Sequence, residues 1–313
     1  MGQTNLTILT EFVLMGVTRQ PELQHPLFGV FLTIYSITVV GNLGMIILTQ
    51  LDHRLHTPMY FFIRHLAFID LGNSTVICPK MLVNFVVDKN TISYGACAAQ
   101  MAFFIFFIVS ELFILSTMAY DRYVAICNPL LYKVVMSPRL CHLLVGLPYL
   151  YSIFQALMFP IMYFMSTFCG CNIISHFYCD VVPLLPMLCS YTRELELLTI
   201  LFSAFNLISS LLVVLLSYTL ILLAICRMRS AEGRKKAFST CGSHLTVVVV
   251  FYGSLLFMYV QPKSAHSFET DKMASVFYTL VIPMLNPLIY SLRNREVKNA
   301  FYRVFRNQCK ICV

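Results

Sequence analysis

The sequence predicts an all-α membrane protein, a seven-transmembrane helix bundle with a short amphipathic interfacial helix after the seventh span. Three observations predict it. Of the 313 residues, 58% are hydrophobic and only 12% charged, about half the charged share of a soluble domain. Apolar runs long enough to cross a hydrocarbon core of about 30 Å recur along the chain. The basic residues behind the +8 formal charge gather beside those runs, which favours a membrane surface over nucleic acid as their partner.

The first 25 residues read as an extracellular tail without a basic n-region and cleavage site, so no removable signal peptide is expected. Within the tail, Asn5-Leu6-Thr7 is a glycosylation acceptor. The first span runs about 26–51, free of Asp, Glu, Lys and Arg throughout. The second, about 58–86, opens with Pro58 in the favoured first-turn position. Asn73-Ser74-Thr75 also fits the glycosylation pattern but lies inside this span. The third span is about 95–127, the fourth 141–166, the fifth 195–226, the sixth 237–262 and the seventh 271–293. No inverted repeat is visible. With the N-terminus outside, fifteen Lys and Arg lie at cytoplasmic span ends or in the tail, against five outside: Arg19, Lys89, Arg193, Lys263 and Lys272. Positive charge stays inside, so the C-terminus is expected in the cytosol and the chain in the plasma membrane.

Residues 294–313 form the expected cytoplasmic segment. From Arg295 to Arg306, Val297, Ala300, Phe301, Val304 and Phe305 share one helical face, with Arg295, Lys298, Arg303 and Arg306 around the rest. Such a helix lies on the inner surface, its basic face toward anionic membrane lipid. Cys309 and Cys312 in this tail are candidates for palmitoylation. Five other cysteines, Cys97, Cys169, Cys171, Cys179 and Cys189, fall on the outer side, where disulfides persist, and an odd number leaves one unpaired. Cys78, Cys127, Cys141, Cys226 and Cys241 are in or near spans and read as buried thiols. No Cys/His grouping has zinc spacing and no nucleophile–base pair suggests catalysis, so neither an enzyme nor a resident cofactor is expected.

Two acids lie deep within spans. Asp70 is twelve residues beyond Pro58 and Glu111 ten before Asp121, roughly 18 Å and 15 Å in from the same side at about 1.5 Å per residue. They share a mid-membrane depth with Asn42, while Asn286 lies somewhat nearer the cytosol. Two carboxylates there cannot both stay ionised without a cation or a shared proton, so sodium is a candidate ligand; the alternative is a neutral polar core. In the seventh span Pro283 and Pro287 each remove a backbone donor, which predicts a bend.

The third span ends in Met118-Ala119-Tyr120-Asp121-Arg122-Tyr123-Val124-Ala125-Ile126-Cys127. An acid–base pair at the boundary of an apolar run is an anchor or a switch. The string resembles the D-R-Y region of rhodopsin-like G-protein-coupled receptors, in the form typical of olfactory receptors. Leu55-His56-Thr57-Pro58-Met59-Tyr60, Lys236 to Leu245 (K-A-F-S-T-C-G-S-H-L) and Pro283 to Tyr290 (P-M-L-N-P-L-I-Y) resemble that family's motifs in the same order. The chain has no Trp, and Phe251-Tyr252-Gly253 stands in the sixth span, as in the olfactory branch.

The resemblance implies an odorant receptor that couples a small, mostly apolar ligand to an olfactory-type stimulatory G protein and raises cAMP. It makes Asp121, Arg122 and Tyr123 a cytoplasmic lock, with Tyr218, Asn286, Pro287 and Tyr290 moving when the lock opens. It implies sodium near Asp70 and Glu111 in the resting state. It implies disulfides Cys97–Cys179 and Cys169–Cys189, although Cys171, where the family usually has another residue, competes for Cys189. The ligand pocket is expected in the outer half of the bundle. Its candidates are Phe104, Ile105, Ile108 and Leu112 of the third span, Phe202, Ser203 and Asn206 of the fifth, Tyr252, Leu255, Leu256 and Tyr259 of the sixth, and Val276 and Thr279 of the seventh. None of these is charged, which suits a neutral apolar molecule with one or two hydrogen-bonding atoms. The alternatives are another rhodopsin-like receptor, for a lipid or peptide, and an ion-coupled transporter using Asp70 and Glu111. The missing Trp and the olfactory motifs disfavour the first; the D-R-Y lock and absent repeat disfavour the second.

Overall fold

Inside hydrocarbon no water can satisfy a peptide group, so an apolar run must close its hydrogen bonds on itself as a helix. The computed structural model shows this throughout. It describes the backbone of residues 10–311 except 19, 88, 170–171, 190–191, 229, 261–267 and 294. It describes the side chains of those residues except 236, 239–240, 243, 257–260, 268–271, 292–293, 295 and 305–311. The helices are α1 (Pro21–Leu51), α2 (Pro58–Asn84), α3 (Tyr94–Cys127), a one-turn α4 (Tyr132–Val135), α5 (Pro138–Met165), a one-turn α6 (Val181–Leu184), α7 (Thr192–Arg227), α8 (Ala231–Val260), α9 (Phe268–Val276), α10 (Ile282–Arg293) and α11 (Arg295–Ile311). Helices α9 and α10 are joined by a π-helical turn, Phe277–Val281, into one seventh span. Among the described residues six stretches are long and apolar enough to cross a bilayer; the seventh, α8, carries the shorter apolar run His244–Leu256.

Local chemistry sets the helix starts. Pro21, Pro58 and Pro138 occupy first-turn positions, where a missing N–H costs nothing. Ser93 and Ser137 cap α3 and α5 by accepting from Ala96 N–H and Leu140 N–H. The first helix begins at Pro21 rather than 26, with Pro26 carried inside it. Helix α3 is the axis, packed against α2, α5, α7 and α8. Its most apolar stretch is 72% buried against 22% for α1, which faces lipid. Close approach explains two glycines: a Cβ on Gly72 would overlap the Phe107 ring, and one on Gly41 would lie 2.9 Å from Pro287 Cγ, binding α1 closely to the seventh span.

A small sheet caps the outer end. Strand β1 (Glu11–Leu14) pairs antiparallel with β2 (Thr91–Ser93), Phe12 opposite Ile92, and parallel with β3 (Ile173–Ile174), Val13 opposite Ile173. Phe12 is fully buried, its ring 5.8 Å from Tyr94 and 5.3 Å from Phe168. The sequence reading made this segment part of a plain tail; four residues, E-F-V-L, pair with partners far along the chain and leave no local signal. Gly16, at φ +71°, turns the chain from β1 toward α1.

The other end carries α11. Val297 and Ala300 are buried on its inner face. Arg303 Nε and Nη2 both donate to Asp52 Oδ2, at 3.0 and 2.6 Å, and Tyr60 Oη donates to Glu296 Oε2 at 2.9 Å. Phe305, Cys309 and Cys312 lie outside the described residues and side chains.

Candidate functional site

Three groups of side chains share the axis of α3. In the outer half, α3, α5, α7, α8, the π turn and the loop around α6 enclose a cavity of about 350 Å³. Phe104, Ile105, Ile108, Leu112, Ser203, Asn206 and Leu255 line it, as do Gln155, Phe159, Asp180, Val182, Thr199, Ile200, Ile208 and Tyr278. The sequence expectation for the pocket also included Phe202, Tyr252, Leu256, Val276 and Thr279, which are not in the lining. Phe202 lies 5.6 Å from Phe159, between α5 and α7. Tyr252 donates to the Leu112 carbonyl at 3.1 Å. Thr279 donates to the Ser275 carbonyl at 2.6 Å. The side chain of Tyr259 lies outside those described.

The cavity wall is mostly apolar, with a polar edge whose amides satisfy each other. Gln155 Nε2 donates to Asn206 Oδ1 at 3.1 Å, Asn206 Nδ2 donates to Gln155 Oε1 at 3.0 Å, and Tyr151 Oη donates to Asn206 Oδ1 at 2.9 Å. Its roof is the outer loop, held to α3 by Cys97–Cys179, with Cα atoms 5.5 Å apart. A second disulfide, Cys169–Cys189, closes the loop on itself at a Cα separation of 5.7 Å. Cys171 and Asn5 lie outside the described residues. The same loop is tied to the seventh span: His176 Nε2 lies 3.2 Å from Ser275 Oγ, and Tyr178 Oη 3.0 Å from Tyr278 Oη. Burial, with the nearby Lys272 charge, pulls the His176 imidazole down to about 3, so it stays neutral.

At mid-membrane, Asn286 Nδ2 donates to both Asp70 oxygens, at 3.1 and 2.9 Å. Asn42 Nδ2 donates to the Pro283 carbonyl at 3.0 Å, one of the carbonyls of the proline segment. Glu111 is fully buried, and neither carboxyl oxygen has a protein partner; the Asn286 Oδ1, Asn42 Oδ1 and Tyr290 hydroxyl likewise have none. Orphaned acceptors on one acid, Glu111, and on the two amides are what a hard cation takes. Among the described residues no three His, Cys, Asp or Glu side chains gather to hold a metal, at this site or another.

At the inner end of α3, Arg122 Nε and Nη2 donate to Asp121 Oδ2 at 3.2 and 2.6 Å, and Tyr132 of α4 donates to Asp121 Oδ1 at 2.7 Å. Asp121 is fully buried and Arg122 nearly so. Tyr123 is half-buried against the core. Tyr218 Oη lies 2.6 Å from His244 Nδ1, both buried.

Residues 31–308 match the family model described as olfactory receptor. The chain belongs to the olfactory receptor family. Human olfactory receptor 8K5 is 80% identical over 98% of this chain and 100% of its own. Human olfactory receptor 8K3 is 68% identical over 100% of both. The crystal structure of squid rhodopsin superposes at a TM-score of 0.71 over 91% of this chain and 81% of that one, at 17% identity, a likeness of fold. The receptor is thus a multi-pass membrane protein of the rhodopsin fold and not an enzyme.

Sequence reasoning missed four parts of the receptor's sites. Gln155 and Phe159 come from the fourth span, from which no pocket face was expected. His244 sits in a recognised motif without an assigned role, and Tyr132 lies in an inner loop with no pattern. Asp180 corrects the expectation of an uncharged lining. Burial pushes its carboxyl up to about 6, and the Val181 N–H donating to it at 2.7 Å limits the rise.

Proposed function

We propose that the receptor binds small, mostly apolar odorants in the outer cavity and passes the signal to an olfactory-type stimulatory G protein, raising cAMP. The single observation that carries the ligand half is the cavity itself: about 350 Å³, largely apolar, with few polar groups, the size and character of a small-molecule site. The transducer half is supported by the Asp121–Arg122–Tyr132 cluster at the opposite end of the same helix. Helix α3 joins the two, so a ligand that shifts its outer half acts on the lock through one packed rod. The excess of Lys and Arg at one set of span ends supports an N-terminus outside the plasma membrane, with residues 1–25 extracellular, Asn5 glycosylated and 294–313 cytoplasmic.

Asp70, Glu111, Asn286 and Asn42 would hold sodium between these two ends. A bound cation supplies the positive charge that two buried carboxyls otherwise lack. Activation then brings the seventh span inward at Pro283 and Pro287 and closes that space. Cells expressing the receptor with a stimulatory G protein and a cAMP reporter test the proposal directly. A dose-dependent rise to members of a volatile odorant panel is expected, absent in untransfected cells. A surface-expressed receptor that leaves cAMP unchanged, or that carries ligand-evoked ion current without G protein, overturns it.

A further inference from the structure

We propose that Asp180 is a specificity-determining residue, selecting odorants that present a hydrogen-bond donor, an ammonium most strongly, at the outer end of the cavity. The inference rests on the cavity being the odorant site and goes beyond it by naming a ligand class. Asp180 lies in the cavity lining, on the loop anchored to α3 by its neighbour Cys179. Its Oδ1 accepts from Val181 N–H, and Oδ2 accepts from nothing in the chain yet is not sealed from the cavity or solvent. Asp52 and Asp121 are each met by an arginine, whereas among the described residues no cation pairs with Asp180.

Several of the hydroxyls and amides around the cavity are already engaged. Thr199 is bonded to Tyr163, Tyr278 to Tyr178, and Gln155 to Asn206. A carboxylate oxygen that loses its water to a ligand and gains no donor in return is costly. A donor that arrives with the ligand removes that cost; a ligand with acceptors alone adds lone pair against lone pair. Selection against the wrong ligand therefore comes from the same atom as attraction to the right one.

Among the described residues, the titratable groups facing Asp180 are Tyr163 from α5 and Tyr178 from its own loop, with Glu196 of α7 acting on Tyr163. None brings positive charge at neutral pH. An alkylammonium stays protonated throughout, with an ordinary value near 10.4 for the lysine type. Its attraction to ionised Asp180 is therefore present above about 6 and lost as pH falls through that value.

The test is a set of odorants with one shared carbon skeleton, ending in a primary amine, a hydroxyl, an aldehyde or a methyl group. They are read as cAMP dose–responses in cells with surface receptor quantified. The amine and alcohol are expected to be the more potent. Asp180→Asn, which keeps an acceptor for Val181 N–H, is expected to weaken the amine about tenfold or more and leave the aldehyde nearly unchanged. Should that variant fail to reach the surface, the wild type answers alone. Lowering the outer pH from about 7 to about 5 is expected to weaken the amine, relative to the aldehyde, by about tenfold. Equal potency of all members, an equal shift of all by the variant, or a pH-independent amine-to-aldehyde ratio overturns the inference while leaving the cavity reading intact. No response to any member, with receptor at the surface, overturns both.

Discussion

Arg122 is held on one side only. Its two bonds go to its neighbour Asp121, which Tyr132 fixes in place, while Tyr218 is occupied by His244. On the proposal that Arg122 is the group offered to the G protein, Arg122→Ala is expected to abolish odorant-evoked cAMP with surface expression largely preserved. A variant that expresses and signals normally removes that role. The mid-membrane acids give a second expectation. At an effective dielectric near 20, two unit charges about 4 Å apart repel by about 4 kcal/mol, so Asp70 and Glu111 cannot both stay ionised in the resting receptor without a cation or a shared proton. A cation favouring the resting form opposes agonist by linkage. Sodium at constant ionic strength is thus expected to shift the odorant midpoint for nucleotide exchange to higher concentration, and Glu111→Gln to reduce that shift. Identical midpoints in sodium and in a large organic cation would leave a shared proton as the account. The depth of both acids was legible because residue counts convert directly to distance along a helix. Asp180 was not legible: nothing in its local sequence says that a loop aspartate folds back over a cavity.

Among the elements, the outer loop and α11 differ in what holds them. The loop is held covalently, and losing a native bridge costs about 2–5 kcal/mol. Cys97→Ser or Cys179→Ser is expected to stop maturation, measured as loss of surface receptor, because the cavity roof then leaves α3. Cys171→Ser is expected to be neutral, since Cys169 already bridges Cys189; collapse of Cys171→Ser with Cys169→Ser tolerated reverses the pairing. Helix α11 is held instead by side-chain bonds. Burial pushes the Asp52 carboxyl up, but the Arg303 hydrogen bonds and the Arg54 N–H outweigh that and hold it below its ordinary 3.8. The contact is therefore complete at neutral pH and lost only as pH falls through that lowered value. Asp52→Asn and Arg303→Ala are expected to lower thermal stability by the same small amount, about 1 kcal/mol or less for so exposed a pair. The double variant should add little more; fully additive losses would mean that the two act separately. The amphipathic pattern made α11 legible, but its partner was not, because Asp52 lies in a loop 251 residues away.

At the scale of the whole molecule, lipid made the fold legible. Each span had to be long, apolar and helical, so the seven could be drawn before any coordinate was known. What lipid does not dictate went unread: the outer sheet, the π turn before Pro283 and the fourth span's share of the cavity all arise from packing between distant segments. That packing also sets how ligand arrives. Above the cavity sit the disulfide-bound loop and the sheet, yet Val182, Ile200 and Ile208 in its lining are 61%, 56% and 56% exposed on the outside of the bundle. For odorant entering through that side wall, the bilayer is the reservoir. The concentration that matters is then the odorant's in the membrane, not in the water outside. Within a series of equal terminal chemistry, threshold should follow the oil–water partition coefficient, and narrowing the side entrance with Ile200→Phe or Ile208→Phe should slow response onset more than it moves the plateau.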